Sequence, residues 1–532
     1  MKGAASGADY VVVGAGTAGC LLAARLSVDP HVRVALLELG GMDANPAIYQ
    51  PGLNAMFSLW DPHGAENWGY ATIEQPALAG RSIDIARGKV LGGSSSVNAM
   101  LYVRGNRRDF EGWSRYGVHG WTYQDVLPYF KKSETYHGPL SAYHGDSGPV
   151  SVIDYRRPSR ASHAFVEAAA ELGASHRYND FNGASQEAGA GFYQSTRTPG
   201  GVRVSGASAF VRPALERENL QLLTQVRATR LLLDGDRVSG VECSAPGGST
   251  TIAAEREVLL CCGAFETPKL MMLSGLGPAE QLAAHGIRVW NDLPGVGSNL
   301  QDHLLLGVGF ESLVPLDPPE LLAEAGLFTW TPARSTLASP DLQYFFGPVQ
   351  FIPQERMTSG PGFTFAPILA QPQSRGTVTL ASSDPGALAR VDPRYLSRDE
   401  DVAVLEHGIR YARELAHTAA FSGLRGRELA PGQAVVSSAD LRDYVRTVAG
   451  TVWHPAGTCR MGADRDAVVD DQLRVHGVRG LRIADASVLP ALVNGNPNAT
   501  IQMIAERAAD LIRSGGAAVA AASPSLTVGE HP

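Results

Sequence analysis

The stretch Tyr10-Val-Val-Val-Gly-Ala-Gly-Thr-Ala-Gly19 constrains the fold of this chain more than any other. Tyr10 to Val13 form an unbroken apolar or β-branched run, the pattern of a parallel strand buried on both faces. Gly14, Gly16 and Gly19 follow as G-x-G-x-x-G. The first glycine permits a tight turn, the second lets backbone approach a pyrophosphate, and the third lets a helix pack on the strand. Cys20 to Leu26 continues as that helix, whose positive N-terminal end faces the phosphates. A second apolar strand, Val32 to Leu37, ends in Glu38, 19 residues after Gly19. That is about the spacing at which an acid binds ribose hydroxyls. A glycine-rich turn of no function is the bland alternative, and the agreement of strand, helix, second strand and acid outweighs it. The fingerprint serves NAD and FAD alike, and its place at the extreme N-terminus of a long chain favours FAD.

With 532 residues the chain exceeds one ordinary hydrophobic core, so two domains are expected. The formal net charge of −8 argues against a nucleic-acid partner, which would need a basic face. Five cysteines are present, and the adjacent Cys261 and Cys262 read as buried strand residues. No C-x-x-C or H-E-x-x-H spacing occurs, so no metal is expected. Met1 to Asp9 lacks the apolar core of a secretory signal. No apolar run reaches the roughly 18 residues of a transmembrane segment. A reducing cytoplasm is therefore the expected compartment.

Further along, Ala86 to Met100 crowds Gly92, Gly93 and three serines into one turn, which can lie flat against a ring system or a phosphate. Helices are expected over Tyr123–Ser133, 159–173, Lys269–Leu273 (capped by Thr267 with Pro268 in its first position), Arg398–Ala419 and Asn498–Arg513. Strands are expected within Leu220–Leu233, with a hairpin at Asp234-Gly-Asp, and at Glu257–Cys262, Gly376–Leu380 and Gly480–Asp485. Residues 176–202 and 450–462 read as loops. From about Glu311 to Val391 proline and paired aromatics mark a second domain.

Several of these stretches, in order, resemble the signatures of the glucose–methanol–choline (GMC) flavin oxidoreductases. They are Arg87-Gly-Lys-Val-Leu-Gly-Gly-Ser-Ser-Ser-Val-Asn98, Gly263 to Gly277, Leu293 to His303, His454-Pro-Ala-Gly-Thr-Cys-Arg-Met-Gly462 and Ala484 to Pro490. Within the family the chain looks most like bacterial choline dehydrogenases and oxidases and aryl-alcohol or hydroxymethylfurfural oxidases. The resemblance implies a two-domain α/β (α+β) fold, with a Rossmann-like FAD-binding domain interleaved with a substrate domain on an antiparallel sheet. Segments 7–155, 203–310 and 450–513 are assigned to the FAD domain and 156–202 and 311–449 to the substrate domain. Residues 514–532, rich in Ala, Ser and Pro, read as a disordered tail.

The resemblance also implies oxidation of a small-molecule alcohol by hydride transfer to flavin N5, and it assigns residues. His454 is the base, a task that suits a histidine near neutral pH. Asn498 stands beside it, with a helix N-cap as the bland alternative for that asparagine. FAD contacts fall to Gly14, Gly16, Thr17, Ala18, Gly19, Glu38, Arg87, Val90, Gly92, Gly93, Asn98, Val226, Asp485, Asn496 and Pro497. Some members hold FAD covalently through a histidine just before the first signature's asparagine. Here that position is Val97, so the FAD is expected to be non-covalent.

Val452, Trp453, Leu305 and Phe345 are the candidate substrate-pocket residues. In choline-using members a glutamate, two residues after the histidine of Gln-Asp-His, pairs with the trimethylammonium group. Here Gln301-Asp302-His303 leads to Leu305, and a buried cation without a counter-charge is costly. A neutral, apolar or aromatic primary alcohol is therefore the expected substrate, with a choline-type dehydrogenase or a cyanohydrin-cleaving lyase of the same fold as alternatives. Oxygen and a quinone-like carrier both remain open as electron acceptor.

Overall fold

In the computed structural model, residues 7–50 and 52–515 are described. The strand Ala8–Val13 lies at the centre of a seven-stranded sheet. It pairs in parallel with Val34–Leu37 on one side and with the C-terminal half of Gly248–Leu260 on the other. Leu220–Leu223 extends the sheet beyond Val34–Leu37, and Leu481–Ile483 runs parallel to Val258–Leu260. The strand Gly248–Leu260 serves two layers. Val258, Leu259 and Leu260 are fully buried in the parallel sheet, whereas its polar first half leaves it and pairs antiparallel with Arg237–Ala245. The hairpin expected at Asp234-Gly-Asp joins Arg227–Asp234 to that strand.

The helix Thr17–Leu26 is apolar almost all round because it is covered almost all round; among its residues only Arg25 is not buried. It lies against the final helix, Asn498–Arg513, whose bounds are those expected. Glu506, fully buried between them, is paired with Arg25 at 2.6 Å and with Lys132 at 3.3 Å, and accepts from Ser133 Oγ. Losing Arg25 would leave that buried carboxylate with Lys132 and Ser133 alone, and a buried charge deprived of a partner is costly.

Two local readings change. The helix expected to start at Thr267 begins at Gly263, and Cys261 and Cys262 lie beyond the end of the strand at Leu260. Its start is set from outside the segment: Asp485 accepts from Gly263 N at 2.8 Å and from Thr267 Oγ1 at 2.6 Å. Pro268 then falls inside the helix, where it cannot bond the carbonyl of Ala264. The Thr458 hydroxyl donates to that carbonyl at 2.7 Å instead. The helix at Arg398 runs over Asp399–Ala416.

A second sheet of nine strands runs, in spatial order, Arg425–Ala430, Val308–Ser312, Gly362–Leu369, Leu342–Gly347, Ala325–Thr329, Gly189–Phe192 and His176–Arg177. Leu304–Leu305 pairs with both Gly362–Leu369 and Gly450–Thr451. The pairings are antiparallel apart from the last strand, His176–Arg177. The strands near 176–192, read as loop from sequence, are masked by glycine. A Cβ on Gly189 or Gly191 would sit 1.9 Å from His176 O or 2.0 Å from Asn179 O, so only glycine permits this pairing. Residues 304–305, 308–310 and 450–451, which lie within the segments 203–310 and 450–513, pair in this sheet. Thr377–Thr379, the core of the strand expected at Gly376, pairs only with Arg390–Asp392 and stays outside it.

Of the tail expected to be disordered, residues 516–532 lie outside the described residues. Among the described residues no helix is long and apolar enough to cross a membrane.

Candidate active site

A single cavity runs from Gly14, Glu38 and Val226 at the carboxyl ends of the first two strands to Leu305, Phe345 and His454 at the second sheet. At the first end three glycines act for three reasons. Gly14 has φ +95°, and a Cβ there would lie 2.7 Å from Cys261 O. A Cβ on Gly19 would lie 1.9 Å from Gly14 O, so the helix could not pack where it does. A Cβ on Gly16 meets nothing closer than 3.8 Å, so this glycine leaves open a place that the fold itself does not need. The helix behind it has no side-chain N-cap and no acid in its first turn, so its free N–H groups and positive end remain for an anion. The Glu38 carboxylate, held by Ala15 N at 3.0 Å and Gly40 N at 2.8 Å, faces the same space. Burial raises its pKa to about 7. Helix N–H donors for the diphosphate and a carboxylate acceptor for the ribose hydroxyls fit a dinucleotide.

The Gly92–Asn98 segment folds as a short 3₁₀ turn over Gly93–Ser96. Gly93 and Asn98 line the cavity, but Gly92 does not. Gly92 instead donates to Ala15 O at 2.8 Å, tying this turn to the glycine loop. Val90 is likewise behind the wall, in an apolar cluster with Ile48, Leu59 and Val97. Gly19, Val90 and Gly92, all expected as FAD contacts, therefore shape the cavity without lining it. Arg203, which sequence reasoning missed, braces the turn from below. Its guanidinium donates to Asn98 Oδ1 at 2.7 Å, Ser95 O at 3.3 Å and Ile48 O at 2.8 Å.

His454 sits on a strained corner. Trp453 has φ +61°, a conformation that L-residues adopt only when their surroundings impose it. Trp453 N donates to Thr451 Oγ1 at 2.7 Å, Arg87 Nη1 donates to Trp453 O at 2.9 Å, and His454 N donates to Asp302 Oδ1 at 2.7 Å. Asp302 also accepts from the hydroxyls of Tyr395 and Thr451, each at 2.5 Å. The carboxylate is thus fully engaged behind the histidine, and burial lifts its pKa to about 6. The imidazole of His454 lies 3.0 Å (Nδ1 to Nδ1) from that of His303. Burial, reinforced by His303 and the Arg87 cation, holds the pKa of His454 well below the ordinary histidine range. A neutral imidazole facing the cavity is a base in its working form.

The asparagine beside it is Asn496. Its Nδ2 lies 3.3 Å from His454 Nε2, while its Oδ1 is buried without a partner. Asn498 was expected there, but its Oδ1 accepts from Thr17 Oγ1 at 2.9 Å, two residues on and inside the first turn of the final helix. The expectation put Asn498 beside His454 and counted Asn496 among the FAD contacts. What it missed is that Gly495, at φ +77°, and Pro497 turn the chain so that the side chain of residue 496, not 498, reaches the imidazole.

Around His454 the wall is apolar. Leu305, Phe345, Val452, Ala366, Met100 and Leu101 belong to one cluster, and all line the cavity. Trp453 stacks at a tilt on Trp60, ring centroids 4.6 Å apart, and Trp60 Nε1 donates to Val97 O at 2.7 Å. Trp60 had no role in the sequence reading, because nothing in its local pattern connects it with a residue almost four hundred positions away. Thr17, Ala18, Arg87, Val226, Asp485, Asn496, Pro497 and Asn498 line the cavity as well.

Comparison with known proteins gives a consistent answer. The GMC oxidoreductase N-terminal family description matches residues 8–305, and the C-terminal one residues 372–505. An oxygen-dependent choline dehydrogenase of Brucella anthropi is 39% identical over 95% of both chains. An uncharacterized GMC-type oxidoreductase of Mycobacterium tuberculosis is 41% identical over 95% of this chain and 99% of its own. Among solved structures, pyridoxine 4-oxidase from Mesorbium loti is 35% identical with TM-score 0.88, covering 95% of this chain and 99% of that one.

Proposed function

The chain belongs to the GMC oxidoreductase family and is an FAD-dependent oxidoreductase acting on CH–OH donors, and we propose that it oxidises a neutral, apolar or aromatic primary alcohol to the aldehyde, with His454 as base. The observation that carries the reading is the neutral imidazole of His454 set beside Asn496 in an apolar pocket. Bound FAD supplies the two-electron acceptor for the hydride of the carbinol carbon. His454 Nε2 takes the hydroxyl proton, and the amide N–H of Asn496, beside that nitrogen, donates to the substrate oxygen. Gly16, the free start of the helix Thr17–Leu26 and Glu38 hold the diphosphate and ribose, and Asn98, Asp485 and Pro497 complete the FAD cradle.

The pocket favours an uncharged substrate. Leu305 stands where a counter-charge for an ammonium would be needed, and the nearby carboxylate of Asp302 is spent on Tyr395, Thr451 and His454 N. Trp60, Trp453 and Phe345 offer flat faces to an aromatic ring. The relative named pyridoxine 4-oxidase supports this reading, and the relative named choline dehydrogenase makes choline the compound to test against it.

Anaerobic mixing of the yellow protein with benzyl-type and furan alcohols is the test. Loss of the flavin absorbance is the expected result. Retained absorbance with every alcohol, together with cleavage of a cyanohydrin, would make the protein a lyase. Reoxidation of the reduced protein by oxygen or by an artificial quinone, compared in stopped flow, identifies the electron acceptor.

A further inference from the structure

We infer that His303 is a positioning residue that fixes neutral His454 as the Nδ1–H tautomer, which leaves Nε2, the nitrogen beside Asn496, without a hydrogen. The inference rests on the reading of His454 as the base. Three contacts in series carry it. His303 Nε2 lies 3.1 Å from Ala370 O, and a carbonyl oxygen can only accept, so Nε2 bears the hydrogen. A neutral His303 then has no hydrogen on Nδ1, which must accept. The atom facing it at 3.0 Å is His454 Nδ1, which therefore donates. A neutral His454 that donates from Nδ1 has a bare Nε2, and the group opposite that nitrogen at 3.3 Å is the amide of Asn496, a donor. Each link needs the one before it, and reversing any of them places two hydrogens or two lone pairs face to face.

The surroundings keep both rings uncharged. His303 is fully buried and the other hydrogen-bonding group at its ring is the Ala370 carbonyl. Asp302, next to it in sequence, turns its carboxylate to Tyr395, Thr451 and the His454 backbone rather than to either ring. The other charge near His454 is the Arg87 cation, which opposes protonation. Burial correspondingly lowers the pKa of His303 to about 4. The second nitrogen's hydrogen bond decides which nitrogen of a histidine is free to act.

The test has two arms on the FAD-loaded protein. In the wild type, ¹⁵N NMR of selectively labelled histidine should show His454 protonated at Nδ1 and bare at Nε2. The reverse tautomer would overturn the inference. This arm needs no variant to fold. In the second arm, the rate of flavin reduction by the best alcohol is followed against pH for H303L and H303N. The Leu side chain cannot accept from His454, and its rate plateau should fall about 10-fold or more, since a mis-set tautomer disables a base. The Asn Oδ1 can take the place of His303 Nδ1, and H303N should stay within about 3-fold of wild type. Equal losses in both variants, or a wild-type plateau in H303L, would reduce His303 to packing. Unslowed reduction in H454A would instead refute the base itself, whatever tautomer His454 holds.

Discussion

The hydroxyl of Thr17 donates to Asn498 Oδ1 at 2.9 Å, joining the first turn of the first helix to the first turn of the last. The two helix starts meet at the cavity from opposite ends of the chain, and this bond occupies the asparagine that motif alignment had placed beside the base. Asn496 is left to face His454. Asn496→Ala should slow flavin reduction by about 10-fold or more, because it removes a buried amide at the reacting oxygen. Asn498→Ala should leave reduction within about 3-fold and act on FAD retention. Anaerobic stopped flow, with FAD content measured in parallel, separates the two. The opposite ranking would return the role to Asn498.

His454→Ala should lower the rate of flavin reduction by about 10²–10⁴-fold, the usual worth of a positioned base. FAD content should change little, since the histidine lies at the substrate end of the cavity. The pH dependence follows from the depressed pKa of His454. The active form is unprotonated, so a lowered pKa extends activity toward acid. The acid limb of the reduction rate should therefore lie below the ordinary histidine value of about 6.5. A limb centred at or above that value would contradict the burial argument.

Val97 cannot form a histidyl–flavin bond, so denaturation by acid or heat should release all the FAD into the supernatant. Flavin that stays with the precipitated chain would point to attachment through another residue.

Gly16 and Gly19 should separate binding from folding. Gly16→Ala places a methyl where the protein has room but the diphosphate needs it. It should fold and lose FAD affinity by about 10-fold or more, measured by flavin fluorescence titration. Gly19→Ala drives its methyl into Gly14 O and should cost about 1–3 kcal/mol or more of stability, read as a lower Tm.

Aromatic and furan primary alcohols should give a higher kcat/KM than choline. Leu305→Glu should narrow the gap from both sides, by burying a carboxylate among Phe345, Val452 and Ala366 and by offering choline a counter-charge. If choline gave the highest kcat/KM with the wild type, a cage of Trp60, Trp453 and Phe345 would be binding the cation through its aromatic faces.

What the sequence determined by itself was local and covalent. G-x-G-x-x-G after an apolar run leaves few conformations open, because Gly14 and Gly19 occupy positions where a Cβ would overlap backbone. The final helix, the helix Tyr123–Ser133 and the hairpin at Asp234 were legible for the same reason: period, caps and turn residues all lie within the segment. His454 was legible only as part of a motif. Tertiary structure decided the rest. The helix at Gly263 starts where Asp485 reaches it, and the strand at Gly189 pairs because glycine admits a neighbouring carbonyl. Asn496 rather than Asn498 meets His454, Trp60 meets Trp453, and His303 meets His454 across 151 positions. Such contacts depend on where two distant stretches of backbone come to rest. Which nitrogen of His454 carries its hydrogen depends on Ala370, His303 and Asn496, all distant from it in sequence, so no window of sequence around that residue could have contained it.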